Sequence, residues 1–215
     1  MQQDCYFGTY ARFETPSKKE GSALVGADNL VGDRFDIEFL TQDGVTTAWM
    51  RNRFGALVAF FDENLSRRLA IMNARGWKLQ ALLSFVAYTD SPEPAHYWGE
   101  AAVVAFDPKD QAAFDRFLSL VGKRLADGVR PEVNLGSQAV RSVLEAGGDW
   151  KPTKTVPLPK RAAGTVIMKS RRKLSEKVIE LGRSRNVGCY VVSWAFIIAL
   201  VAGAALLGLK AAGII

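Results

Sequence analysis

The sequence predicts an α+β domain of ferredoxin-like type, a split βαβ sandwich with extra strands at its N-terminus, followed by a single C-terminal transmembrane helix. Three observations carry that expectation. Strand-like and helix-like periodicities alternate in the order strand, helix, strand, strand, helix, strand. A helix stop at Arg75-Gly76-Trp77 leads directly into a segment whose odd positions are all apolar. Finally, 23 consecutive residues from Val187 to Leu209 carry no charged side chain.

Residues 4 to 13 (DCYFGTYARF) are rich in aromatics and Thr with rough alternation, which predicts a strand. The next segment, 14 to 34, reads as a loop. Its glycines in GSALVGAD are spaced like a phosphate loop, but Ala27 and Asp28 stand where that motif needs Lys and Ser or Thr, so no nucleotide site is expected there. Phe35, Ile37 and Phe39 alternate with Asp36 and Glu38, and Gln42-Asp43-Gly44 turns the chain into VTTAWMR, a hairpin. Asp36 and Glu38 read as the wet side of that hairpin, not as a catalytic carboxylate pair. The run ALVAFF (56 to 61) fits either the opening turns of a helix or a short buried strand. Phe61, Leu65, Leu69 and Met72 then follow a helical stripe that stops at Gly76, with Trp77 placed to pack back on Met72.

In WKLQALLSFVAY, Trp77, Leu79, Ala81, Leu83, Phe85 and Ala87 predict one buried sheet face. TDSPEPA turns the chain, and YWGEAAVVAF returns as a second strand. Asp107 caps a helix with Pro108 at its first position, Phe114, Phe117, Leu118, Val121 and Leu125 form its buried stripe, and Gly128 ends it. A short extended piece (Val129 to Leu135) and a small helix (Ser137 to Ala146) complete a domain spanning residues 1 to 146. The helix-Gly76-Trp77-Lys78-Leu79 junction followed by a hairpin resembles small bacterial βαββ domains of unknown function over residues 60 to 106. That resemblance implies no catalytic residue.

Residues 147 to 165, with their prolines and glycines, read as a semi-extended linker. In residues 166 to 186, Ile167, Leu174, Val178 and Leu181 fall on one face of a helix and Lys and Arg fill the rest, so a basic amphipathic juxtamembrane helix is expected. As a helix, residues 187 to 209 would extend roughly 34 Å, enough to cross a bilayer. Charge is distributed to match. The chain's net +6 hides a balance of −4 over residues 1 to 150 (16 Lys and Arg against 20 Asp and Glu) and +9 over residues 151 to 188 (11 against 2). Positive flanking charge on the N-terminal side places the domain in the cytoplasm and the tail, residues 210 to 215, outside. MQQDCYFGTY lacks the basic and apolar regions of a secretory signal, which gives a tail-anchored, single-pass expectation. Lys169, Arg171, Arg172, Lys173, Lys177, Arg183 and Arg185 are the candidate contacts to anionic headgroups. Ala195, Ala199 and Gly203, four apart, are candidates for helix–helix packing or self-association.

Two cysteines, Cys5 and Cys189, and one histidine, His96, supply no set for zinc or an iron–sulfur cluster. His96 sits in a Pro-rich turn with no nucleophile motif beside it, and Asp90, Glu93 and Glu100 read as solvated turn carboxylates. No catalytic residue, metal ligand or cofactor is therefore expected. The basic run lacks interleaved aromatics for base stacking, so nucleic acid is not an expected partner. Trp77, Tyr88, Tyr97, Trp98 and Phe106 read as core or, where uncovered, as a face for a partner or a second copy. The sequence thus describes a cytoplasmic interaction or scaffold module at the membrane surface, working on other membrane proteins. The alternative is a small membrane-associated enzyme or ligand sensor using carboxylates and backbone donors.

Overall fold

A computed structural model describes residues 5–91, 94–160, 162–173, 176 and 198. The chain runs β1 (Tyr6–Glu14), α1 (Lys18–Val25), β2 (Arg34–Gln42), β3 (Val45–Arg51), β4 (Leu57–Phe61), α2 (Glu63–Ala74), β5 (Lys78–Thr89), β6 (His96–Phe106), α3 (Gln111–Ala126), α4 (Ser137–Glu145) and β7 (Thr165–Lys169). Strands are hydrogen-bonded in the order β2-β3-β4-β1-β6-β5-β7, and β2 also pairs with β5. That extra pairing joins β2 back to β5, so six antiparallel strands close into a barrel and β7 lies outside the ring. The ferredoxin-like sandwich expected from the sequence is therefore corrected to a closed barrel with helices around it.

The physical reason lies in β5 and β6. A sheet covered by helices on one side buries alternate residues only. Here Ala101, Val103 and Ala105 face one core, Ala102, Val104 and Phe106 face another, and all six are fully buried. The first set joins residues from every strand of the ring, including Phe13, Phe35, Met50, Phe61 and Leu83, and so fills the lumen. Ala11, Ala48, Ala59 and Ala81 also line it, as a narrow six-strand interior requires small side chains interleaved with the phenylalanines. The second set lies under α3, against Phe114, Phe117, Leu118, Val121 and Leu125, the stripe expected for that helix.

Strand β5 carries a register shift between Leu83 and Phe85. Leu79, Ala81 and Leu83 point into the lumen, but beyond the bulge Val86 takes that direction, and Phe85 and Ala87 join Trp98 in a separate cluster. The uniform odd-numbered face expected over residues 77 to 87 thus holds only as far as Leu83, because one extra residue reverses every side chain that follows.

Several local signals act as expected. Asp43 and Gly44 both adopt positive φ (51° and 78°), and Gln42 faces Val45 across the hairpin. Gly76 has φ 80°; its N–H donates to Asn73 O (2.9 Å) and the Trp77 N–H to Met72 O (3.1 Å), the paired bonds of a Schellman stop. ALVAFF resolves as strand β4, with Asp62 capping α2 through Leu65 N–H at 2.9 Å. The segment expected to be a loop contains α1. Its Ser17 side chain accepts from Lys19 and Glu20 N–H and donates to the Glu20 carboxylate, an N-cap written in the sequence as Ser17-Lys18-Lys19-Glu20.

Residues 1–173 form one compact unit and 174–215 a second. The Pro/Gly stretch lies along the first unit: Trp150 packs on Phe117, Pro131 bridges Thr155, and Arg130 donates to Pro157 O at 3.0 Å. The basic helix expected from residue 166 is corrected at its start, since Thr165–Lys169 is strand β7, paired with Val86–Thr89 of β5. Thr165, Val166 and Ile167 are β-branched, and the open stretch of β5 offers backbone partners that an isolated helix turn would not. Among the described residues no helix is long and apolar enough to cross a membrane; the span expected at 187–209 lies, apart from Ile198, outside the described residues.

Gly32 (φ 84°) runs against α3 at Gly122, and a Cβ there would overlap the Gly122 carbonyl, whereas Gly44 has open space. In urea melts of the domain, Gly44→Ala should cost about 1 kcal/mol from backbone strain alone. Gly32→Ala should cost about 3 kcal/mol or more, since it adds overlap to strain.

Candidate functional site

One edge of β5 serves two strands. Arg34–Asp36 of β2 pairs with Gln80–Leu82, the ladder continues through Gly32 N–H to Leu83 O (2.8 Å) and Leu83 N–H to Asp33 O (3.1 Å), and β7 then takes over at Val86. Between these pairings lies the buried loop Asn29-Leu30-Val31, which joins α1 to β2. It presents carbonyl oxygens where strands would otherwise satisfy them, and buried carbonyls need donors.

Two cations from the end of the strap 165–173 supply those donors. Lys169 Nζ donates to Gly26 O and Asn29 O, each at 2.9 Å. Arg172 Nε donates to Val31 O at 2.7 Å, its Nη2 to Asp33 Oδ1 at 3.1 Å, and its backbone N–H to Ala126 O at 2.8 Å. Lys169 and Arg172 are 7% and 9% exposed, while Arg171 and Lys173 between and beside them are exposed. At the other end of the strap, the Thr165 and Thr89 hydroxyls bond at 2.9 Å, and Trp98 Nε1 donates to Thr89 Oγ1 at 2.8 Å.

The candidate headgroup contacts are thereby divided. Lys169 and Arg172 are corrected to structural clamps, because their charges are spent on carbonyls and a carboxylate of the same domain. Arg171 and Lys173 remain at the surface. Lys177, Arg183 and Arg185 lie outside the described residues, as do Ala195, Ala199 and Gly203. The clamp was missed in the sequence because a helical period was assigned to 166–186. In strand β7 the residues alternate instead and turn Lys169 inward, while Arg172 lies beyond the strand's end; the β-branched Thr165-Val166-Ile167 is the available signal.

A second charged node lies on the outer face of β1 and β6. Arg130, 6% exposed, forms an ion pair with Glu100 and lies over the rings of Tyr10 (4.3 Å) and Phe85 (5.5 Å). Its Nε is buried without a hydrogen-bond partner among the described residues. Burial pushes the hydroxyls of Tyr6 and Tyr10 well above the usual phenol range, with Arg130 opposing the rise at Tyr10. Both stay protonated and donate to Val133 O and Pro131 O at 2.8 Å, which holds the extended piece after α3 to the sheet. Beside this node Arg12 lies over Trp98 at 4.1 Å and pairs with Glu14.

His96 Nε2 is 3.8 Å from Glu14 at an exposed strand end, with Nδ1 3.0 Å from Pro94 O. Ser84 Oγ is buried at the bulge, where substrate has no access. Glu100 is committed to Arg130, Glu93 lies outside the described residues, and among the described residues no three His, Cys, Asp or Glu converge as for a metal. The aromatic cluster expected from the sequence is dispersed. Phe106 stacks on Phe114 beneath α3, Tyr88 meets Tyr97, Trp98 meets Phe85, and Trp77 packs toward the lumen. An open groove of about 430 Å³ runs between the β2–β3 turn and α2, past Val45, Thr46 and Ile71; its Glu63 and Arg67 neutralise each other at 2.7 Å.

Comparison with known protein families, characterised proteins and solved structures returns no match. The strap clamp brings two buried cations onto the carbonyls and the carboxylate of one loop. It can hold and orient a segment of chain, and it presents no nucleophile with a base beside it.

Removing a buried cation leaves its oxygens unpaired. Lys169→Met and Arg172→Met should each lower unfolding free energy by about 2–4 kcal/mol in chemical denaturation. Arg171→Gln should change it by less than about 0.5 kcal/mol, the usual range for exposed positions.

Proposed function

We propose that this chain is a single-pass membrane protein whose cytoplasmic barrel domain is an interaction module held at the membrane surface. The observation that carries this reading is the uncharged run from Val187 to Leu209, long enough as a helix for a bilayer core and flanked on one side by dense positive charge. The asymmetry of Lys and Arg across it favours a cytoplasmic domain and an external C-terminus. Tyr190 and Trp194 at its N-terminal end suit the headgroup level.

The domain's construction supports a binding role. Its lumen is filled by side chains, so a ligand would have to be read on the outside of the barrel. Confinement to a surface raises the effective concentration of membrane partners, so even a weak docking contact becomes productive. The exposed cations Arg171 and Lys173, next to the anchor in sequence, are placed to favour an anionic leaflet.

After alkaline washing, the full chain should stay with the membrane pellet, and a chain ending at Lys173 should be released. Recovery of the full chain in the supernatant would contradict the anchor. In a fragment ending at residue 186, Arg171→Gln with Lys173→Gln should weaken binding to anionic vesicles about 30-fold at low salt, from about 1 kcal/mol per cation. Equal binding by both fragments would remove the lipid contribution.

A further inference from the structure

The strap sets how much chain is left to act as a tether. Taken as loose chain throughout, residues from Gly147 to Asn186 would be a forty-residue tether with a contour of roughly 140 Å. In the structure, residues 149–158 lie along the domain, β7 is paired to β5, and Lys169 and Arg172 fasten the strap's end to the loop at Gly26–Asp33. Only residues 174–186 then separate the fastened chain from the uncharged run, thirteen residues that reach at most about 45 Å when fully extended.

We infer that the Lys169 and Arg172 clamp makes the strap part of the domain and so keeps the domain's point of attachment within about 45 Å of the bilayer, in reach of the cytoplasmic segments of other membrane proteins. The inference rests on the membrane-anchored reading above. Its physical content is a short leash. The effective concentration of a tethered site falls roughly as the −3/2 power of leash length once the span is covered, so thirteen residues in place of forty raise it about fivefold for a surface within reach. Surfaces beyond the leash and the width of the domain itself are excluded.

Where extra chain is inserted distinguishes a fastened strap from a loose one. The protein carries Cys5→Ser, Cys189→Ala and Lys109→Cys, with a donor dye at residue 109, and is reconstituted into zwitterionic phosphatidylcholine vesicles with a trace of acceptor-labelled lipid, so that Arg171 and Lys173 do not hold the domain to the surface. A twenty-residue Gly/Ser insert between Lys173 and Leu174 lengthens the leash from thirteen to thirty-three residues, and energy transfer to the lipid should fall. The same insert between Pro159 and Lys160, upstream of the clamp, should leave transfer unchanged, because the strap docks again and the insert only enlarges a surface loop.

An equal fall for both inserts would overturn the inference, since it would mean that the strap is not held in the membrane-bound protein. No fall for either insert, in protein that floats with the vesicles, would overturn it too. Failure of the uninserted protein to float would instead overturn the anchor itself, which separates the two failures.

Discussion

The fold depends on how one edge of β5 is satisfied. That strand pairs with β6 along its whole length on one side, but on the other β2 accompanies it only from Gln80 to Leu82 before the chain departs into the loop at Asn29–Val31. Left alone, the remainder would be an open strand edge beside a loop full of unpaired carbonyls, costly in a buried position. Strap 165–173 resolves both problems. β7 supplies the missing ladder, and Lys169 and Arg172 supply donors to the loop. Because these partners are some 140 positions apart in sequence, docking the strap makes the far end of the domain a structural part of its beginning.

Packing around that seam leaves little slack. Gly32 and Gly122 bring the loop and α3 into backbone contact, and Arg34 at the start of β2 reaches Asp115 at 2.8 Å and Ser119 at 2.7 Å on the same helix. The lumen on one side and the α3 layer on the other hold β5 and β6 between two dry cores. Such a strand pair tolerates neither a slipped register nor a polar replacement, since either would turn a polar side chain into one of the cores.

Much of the local structure was legible in the sequence, and little of the global closure. The Asp43-Gly44 turn, the Arg75-Gly76-Trp77 stop and the Asp107-Pro108 start act through neighbouring residues, so their chemistry is readable over a few positions. The two-sided burial of β6 was also visible, as the unbroken apolar run AAVVAF, but a ferredoxin-like order of elements was a simpler use of it than a ring. The bulge at Ser84 has no local signature and reversed the assigned face of Phe85 and Ala87. The clamp was least legible of all. Its cations sit among other cations, and what distinguishes Lys169 and Arg172 from Arg171 and Lys173 is a loop at the other end of the domain.

This arrangement links fold to role through one segment: the strap that covers the open edge of β5 is also the segment that leads, in sequence, toward the uncharged run. The most direct test is amide hydrogen exchange on the full chain, read at β7, at Arg172 and at Leu83, against the central β6 amides from Ala101 to Val104. A strap that is an integral part of the domain predicts that all of them exchange through the same global opening, with one free energy. Strap amides exchanging orders of magnitude faster than β6, in a barrel that stays protected, would contradict it.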